Sequence, residues 1–187
     1  MKIAFASGPV FFIRTNYLSH IACENIAVDY ECDEVEFADI VEAGLSYVAE
    51  CKAVNYLSRA EQSRFLLFKK LFAKQLAKQN IDAALDYLEA HNLLSDARFA
   101  RAFLQSRKIN HAEGKTRLRL ELAKRGIEKH LADEAIENFF RENDEVSLCK
   151  KAFQKCARQK MSDEKTHAFL QRAGFSNKII REATSEN

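Results

Sequence analysis

The residues in this chain with chemistry to offer are cations set at helical spacing. Arg98, Arg101 and Lys108 recur at three and seven positions. They share a side of a helix whose other side carries Phe99, Ala102 and Phe103 at i, i+3 and i+4. Lys115, Arg117, Arg119, Lys124 and Arg125 crowd the next helical stretch, and Lys151, Lys155 and Arg158 repeat the spacing further on. Guanidinium and ammonium groups so placed offer charge and hydrogen-bond donors to phosphates or carboxylates. The pattern predicts a partner-binding basic surface made of Arg98, Arg101, Lys108, Lys115, Arg117, Lys124, Lys151, Lys155 and Arg158. The plainer reading of each cation is a solvated helix face.

Catalytic groupings are not found. There is no glycine-rich phosphate loop, no G-x-S-x-G, no H-E-x-x-H and no pair of carboxylates with a histidine at ligand spacing. His91, His111, His130 and His167 lie scattered beside charged residues and read as surface histidines. His20-x-x-Cys23 with Cys32 is the one metal-like grouping, and it lacks a fourth ligand at a usual zinc spacing. The expectation is a binding protein without metal or cofactor, with an enzyme of unrecognised type as the weaker alternative.

Composition narrows the class. Hydrophobic residues make up 47% of 187, enough for a core, and the single proline is Pro9. A proline-free run from Val10 onward, poor in glycine, fits helices joined by short turns rather than a sandwich or barrel. The formal charge of +2 hides a split: residues 1–50 hold two basic and nine acidic side chains, against 29 and 27 in the whole chain. The remainder is therefore strongly basic, and its partner is expected to be anionic. Cys23, Cys32, Cys51, Cys149 and Cys156 are odd in number and form no C-x-x-C, so reduced thiols are expected. Cys149 and Cys156, seven apart, belong on one buried helical face. No stretch reads as a membrane span, and IAFASGPVFFI, broken by Gly8-Pro9, does not read as an export signal. A cytoplasmic monomer is the expectation.

The elements that position the cations come from a repeat. Lys52 to Arg59 (KAVNYLSR), Arg101 to Lys108 (RAFLQSRK) and Lys151 to Arg158 (KAFQKCAR) align at separations of 49 and 50 residues. Ala53, Ala102 and Ala152 then fall at equivalent, buried positions. Each segment is followed by a second helix with a common frame: Ser63, Leu67, Leu71, Leu76; Gly114, Leu118, Leu122, Ile127; and Ser162, Thr166, Leu170, Phe175. Gly126 and Gly174 end the last two, with Ile127 and Phe175 folding back as hydrophobic partners. Leu120 points away from Leu118 and Leu122, which predicts a helix sandwiched between units, with an apolar contact exposed beside its cations as the weaker alternative. Third helices are expected at Ile81 to Ala90, Lys129 to Phe140 and Lys178 to Ala183. The fold class is thus all-α, a tandem and elongated array of three three-helix repeats at 45–94, 95–143 and 144–187.

Residues 1–44 differ, and form an acidic extension. Ile3 to Ala6 and Val10 to Arg14 flank Ser7-Gly8-Pro9 as a small hairpin, and Tyr17 to Ile26 reads as strand or short helix. Asp33-Glu34 opens a helix that Gly44 is expected to end.

Four motifs in order resemble the RecX regulatory proteins. Ser95-Asp96-Ala97-Arg98-Phe99-Ala100 is similar to the D-x-x-F-A signature of that family. Gly114…Leu118…Glu121-Leu122…Lys124-Arg125-Gly126-Ile127 resembles its G…R-I…E-L…K-G-I pattern. Tyr56-Leu57-Ser58-Arg59…Gln62-Ser63 resembles its first-unit entry, and Gly174-Phe175-Ser176 its last-unit R-G-F-S. The resemblance covers about residues 45–184. It implies a curved array of three-helix units that lodges in the groove of the RecA recombinase filament on single-stranded DNA and restrains its polymerisation, ATPase, strand exchange and coprotease activities. Two departures stand out: Gln75-Leu76 replaces a Lys-Gly type helix end, and residues 1–44 lie outside the shared pattern. A helical-repeat protein that binds single- or double-stranded DNA without a recombinase is the competing reading.

Overall fold

A computed structural model describes residues 1–6, 8 and 10–185, with Asn110 described for its backbone alone. Two short strands, β1 (Lys2–Ala4) and β2 (Val10–Phe12), pair antiparallel, with Ile3 opposite Phe11. Ser7 and Pro9 of the expected turn lie outside the described residues. Short 3-10 turns follow at Thr15–Tyr17 and Cys23–Asn25. Nine helices then occupy the described chain: α1 (Glu34–Leu57), α2 (Arg64–Phe72), α3 (Lys78–Ala90), α4 (Asp96–Asn110), α5 (Lys115–Ala123), α6 (Lys129–Glu142), α7 (Glu145–Arg158), α8 (Asp163–Arg172) and α9 (Asn177–Thr184). They fall into triplets in which the first helix packs on the third: α1 on α3, α4 on α6 and α7 on α9. The fold is all-α. It divides into two compact units, Met1–Ser95 and Asp96–Asn187.

Local chemistry sets the helix ends. Asp33 accepts from the Val35 and Glu36 N–H groups while Glu36 reaches back to the Asp33 N–H, a reciprocal capping box. Ser63 and Ser176 cap α2 and α9 by accepting from Leu66 and Ile179, and Asp144 caps α7. Gly126 and Gly174 take φ of +78° and +92°, and the Ile127 and Phe175 N–H groups donate back to the Leu122 and Leu170 carbonyls. In the first triplet Gln75 adopts φ +61° at the corresponding turn, so the left-handed ending persists there without a glycine.

In the first unit Gly44 does not end the helix. It lies inside α1, which runs 24 residues without a break and so crosses the 44/45 boundary expected between extension and repeat. The glycine is there for contact: a Cβ on Gly44 would come within 2.8 and 2.9 Å of the Phe11 ring carbons. The bare backbone lets the hairpin lie on the helix, and Ile3, Ile13 and Ile21 close a small core over Ile40 and Ala43. A larger core joins Ala53 to Leu67, Leu71, Ile81, Leu85, Leu88 and Leu94. Asp39, buried on α1, accepts from the N–H groups of Ser19 (2.9 Å), His20 (2.8 Å) and Ile21 (3.2 Å). Burial works to raise its pKa, but the three backbone donors outweigh it and hold the carboxyl below the ordinary range. Glu50, also buried, receives the Arg14 guanidinium through Nε at 2.7 Å and a second, shorter bond, plus the Tyr17 hydroxyl at 2.9 Å. Arg14 in turn lies 4.4 Å from the centre of the Tyr87 ring on α3.

In the second unit the second-helix frames are core. Leu118, Leu122 and Ile127 are buried, as are Thr166, Leu170 and Phe175. The first-helix register differs from the sequence alignment, because Ala102 is exposed. Buried pairs sit three and four residues before Ala53 (Ala49, Glu50) and before Ala152 (Leu148, Cys149), and in α4 the matching pair is Phe99 and Ala100. That pattern places Phe103, not Ala102, at the alanine position. Phe103 itself is half-buried, stacked on Phe99 at 6.1 Å, while Leu104 completes the core face. Leu120 is 53% exposed, so α5 is not sandwiched; only its Leu118–Leu122 face is covered.

Two glycines lock the second unit. The Gly114 N–H donates to the Ala173 carbonyl at 2.9 Å and the Thr116 N–H to the Gly174 carbonyl at 3.3 Å. A Cβ on Gly114 would sit within 2.7 Å of the Phe175 nitrogen, and one on Gly174 within 2.9 Å of the Arg117 Cα.

Two outcomes follow. Arg14→Ala strands a buried carboxylate and should destabilise the chain by about 3 kcal/mol in urea unfolding. Adding Glu50→Ala to that variant should recover much of the loss, and a purely additive double-mutant cycle would refute the pairing. Gly114→Ala should cost at least about 2 kcal/mol, because backbone atoms cannot rotate out of the way. A melting temperature unchanged by that substitution would contradict the close approach.

Candidate functional site

The second unit gathers cations around one groove of about 710 Å³. Helix α7 buries Leu148, Cys149, Ala152 and Cys156, which leaves Lys151 and Lys155 on its flank one turn apart. Lys108 enters from the last turn of α4, Arg117 from the first turn of α5 and Arg172 from the last turn of α8. Leu148, Ala152, Phe169 and Ala173 form an apolar floor. Burial pushes the Cys149 thiol behind that floor up to about 11, with Glu145 adding to the effect, so it stays neutral.

Two acids, Glu113 half-buried and Glu121 buried, decide which cations are committed. Glu113, in the groove wall, is bound by Arg107 through Nε at 2.8 Å and a second, shorter bond, and lies 3.8 Å from Arg117. The Glu113 hydrogen bonds raise the pKa of Arg107 against the opposing effect of burial. Glu121 is ringed by Arg125 (2.8 Å), Arg117 (3.0 Å) and Lys124 (3.1 Å). The Arg125 hydrogen bond leads in holding its carboxyl down at about 2; burial opposes, and Lys124 and Arg117 assist. Arg125 also lies 4.3 Å over the Phe103 ring, tying the turn after α5 to α4.

The structure thus brings Lys108, Arg117, Lys151 and Lys155 of the nine expected cations to one groove. Arg101 and Arg158 are exposed on α4 and α7 outside its lining, and Arg98 is half-buried. Lys115 pairs with Glu145 at 3.6 Å and lies over the Phe140 ring at 5.3 Å, and Lys124 belongs to Glu121. Among the described residues Lys108, Lys151 and Lys155 have no ion-pair partner, which leaves them available to an anionic ligand. Arg172 was missed in the sequence. Its signal was a cation closing a helix two residues before a left-handed glycine, as Lys124 does before Gly126. No cluster of three or more His, Cys, Asp or Glu side chains arranged to hold a metal occurs among the described residues, and the His20, Cys23 and Cys32 grouping does not assemble into one. No described helix is long and apolar enough to cross a membrane.

The Glu121 cluster has a pH signature. A carboxyl held near 2 when folded and near its ordinary 4.5 when unfolded stabilises the fold above pH 4.5. That contribution is lost as the pH falls from 4.5 towards 2. In urea unfolding, wild type should exceed Glu121→Gln by on the order of 2 kcal/mol at pH 6, with the gap closing by pH 2. A gap independent of pH would show that packing, not charge, holds this residue.

Comparison with known proteins bears on this unit and beyond it. The family model described as RecX, second three-helix domain, matches residues 95–136. Regulatory protein RecX of Treponema pallidum (strain Nichols) is 33% identical over 135 residues, covering 72% of this chain and 82% of that protein. Regulatory protein RecX of Vibrio vulnificus (strain CMCP6) is 33% identical over 145 residues, covering 73% and 92%. That of Chlorobium limicola is 31% identical over 140 residues, covering 72% and 86%. A crystal structure of regulatory protein RecX superposes with a TM-score of 0.73 at 23% identity, over 84% of this chain and 79% of that one. The crystal structure of RecX from Lactobacillus salivarius gives 0.65 at 22%, over 76% and 96%, and both establish the helical-repeat fold. The Leu118, Leu122 and Gly126 frame and the groove-wall residues Glu113 and Arg117 all fall inside the matched domain, and on the full-length relatives the chain belongs to the RecX family of regulatory proteins.

Proposed function

We propose that this protein binds the RecA recombinase filament on single-stranded DNA and restrains its ATPase, recombinase and coprotease activities. The observation that carries the reading is the basic groove of the second unit, in a chain of a regulatory family. Its cations Lys108, Lys151 and Lys155 have no ion-pair partner of their own among the described residues, and the filament is a polyanionic nucleoprotein. The groove cations make the first contact, and Arg98, Arg101, Lys115, Lys124 and Arg158 extend the surface around it. The protein acts as a cytoplasmic monomer of three repeats, the first opening with α1 rather than at residue 45, and the segment before α1 is an accessory to that repeat.

ATP hydrolysis by a cognate recombinase on single-stranded DNA, with and without this protein, tests the reading. Wild type should lower the rate. Lys108→Glu/Lys151→Glu should need at least about tenfold more protein for the same effect, through lost attraction and added repulsion. Its helical circular-dichroism signal should stay unchanged, because both side chains are exposed and such substitutions alter stability by about 0.5 kcal/mol. The second reading, a nucleic-acid binder acting without a recombinase, draws on the same unpaired cations. Should the double reversal abolish binding to bare single-stranded DNA yet leave ATPase inhibition intact, the groove serves that separate activity.

A further inference from the structure

The groove has a chemical character more specific than positive charge. Its rim carries Lys108, Arg117, Lys151, Lys155 and Arg172, but its floor is apolar. Ile109 stands 82% exposed beside Lys108 and contributes to the groove lining. One exposed isoleucine is ordinary by itself; here it continues the apolar floor out between the rim lysines.

A nucleic-acid strand does not use these features well. Single strands are held along their length by successive aromatic platforms on which bases stack, beside the cations that track the backbone. Among the described residues the lining contains no Ser, Thr, Asn, Gln or Tyr side chain, and its two rings are Phe169, half-buried in the floor, and the single exposed imidazole of His111. The wall also presents the Glu113 carboxylate, which Arg107 and Arg117 neutralise locally. A phosphodiester backbone would satisfy the rim and leave the floor and Ile109 empty. A peptide with acidic side chains flanking apolar ones satisfies both: carboxylates meet the lysines and arginines, and the apolar anchors meet Ile109, Ala152, Phe169 and Ala173.

We infer that this groove takes an acidic amphipathic peptide segment of a protein partner, rather than the phosphate backbone of a nucleic acid. The inference rests on the reading of the preceding section and sharpens it, because it assigns the contact to the protein component of the filament.

The test is fluorescence-anisotropy titration of the full chain with three labelled probes: a peptide alternating Glu with Leu and Phe at helical spacing, a polyglutamate of equal length, and oligothymidine. The amphipathic peptide should bind tightest. Lys108→Glu/Lys151→Glu should weaken it at least tenfold, and Ile109→Ser about threefold. Lys165→Glu, an exposed reversal on α8 outside the groove, should leave it unchanged. Polyglutamate binding as tightly as the amphipathic peptide would overturn the inference, since the floor would then contribute nothing. So would oligothymidine binding tighter and losing its affinity in the double reversal, or the absence of any peptide binding. Those failures are distinct from failure of the functional reading. If wild type still restrains the recombinase ATPase, only the ligand assignment falls; if it does not, the functional reading falls whatever the peptides do.

Discussion

The second unit depends on a place where two backbones meet without side chains. Gly114 precedes α5 and Gly174 follows α8, and their main chains approach so closely that neither tolerates a Cβ. The consequence is electrostatic as well as steric. The first turn of a helix leaves N–H groups without intrahelical acceptors. Here the Ala173 and Gly174 carbonyls accept from Gly114 and Thr116, and Glu145 of α7 accepts from Lys115 at 3.3 Å. The start of α5 is therefore held by the end of α8 and the start of α7. That junction brings Lys108 and Arg117, near the ends of α4 and α5, opposite Lys151, Lys155 and Arg172, although the two sets are tens of residues apart in the chain. The groove is a by-product of a backbone contact, and its charge pattern follows from which helix ends the contact aligns.

Two acids of the second unit, Glu113 and Glu121, sort its cations into two groups. Glu113 and Glu121 engage Arg107, Arg117, Lys124 and Arg125, and those side chains have lost much of their rotamer freedom to the fold. Lys108, Lys151 and Lys155 keep theirs. The engaged group stiffens the groove wall at little electrostatic gain to a ligand, because each guanidinium is already neutralised nearby. The unengaged lysines supply the long-range field, and they gather like charge at one mouth at the expense of mutual repulsion. A fold optimised for stability alone would have scattered them. The association of apolar floor with unpaired lysines is therefore the feature of this unit that folding does not explain.

What was legible in the sequence follows the range of the interaction behind it. The second-helix frames could be read because Leu118, Leu122 and Ile127 lie on one face of one helix, as do Thr166 and Leu170, and because Gly126 and Gly174 mark their own left-handed turns. The hairpin and the Asp33 cap were equally local. The first-helix register was not legible. Alignment on the Arg-Ala-Phe similarity favoured chemical identity, whereas burial follows the pair three and four residues earlier, so Phe103 takes the place that Ala53 and Ala152 hold. Gly44 looked like a stop because its partner, the Phe11 ring, is far away in sequence. Glu121, within a run of charged residues, gave no sign of being buried. The groove escaped for the same reason: it is assembled from four helices, and only pairings between them show which cations share a space.

The first helices meet a common packing problem with three different side chains, and the first unit shows the consequence of the least obvious choice. The residue three before Ala53, Phe103 and Ala152 is Glu50, Ala100 and Cys149 in turn, each buried. Alanine fills the position with no polar group, and the thiol fills it in a form that burial keeps neutral. A carboxylate cannot be placed there alone, because a buried unpaired charge is destabilising by several kcal/mol. Arg14 and Tyr17 supply its donors, and both come from the segment before α1. Arg14 is further held against Tyr87 of α3, so the segment reaches both packed helices of the first triplet. Residues 1–33 thus complete a helix triplet whose buried charge they neutralise, and their acidic surface sits outside a contact that is itself cation to carboxylate. The extension and Glu50 form one device, present in the first triplet and replaced by a small neutral side chain in the other two.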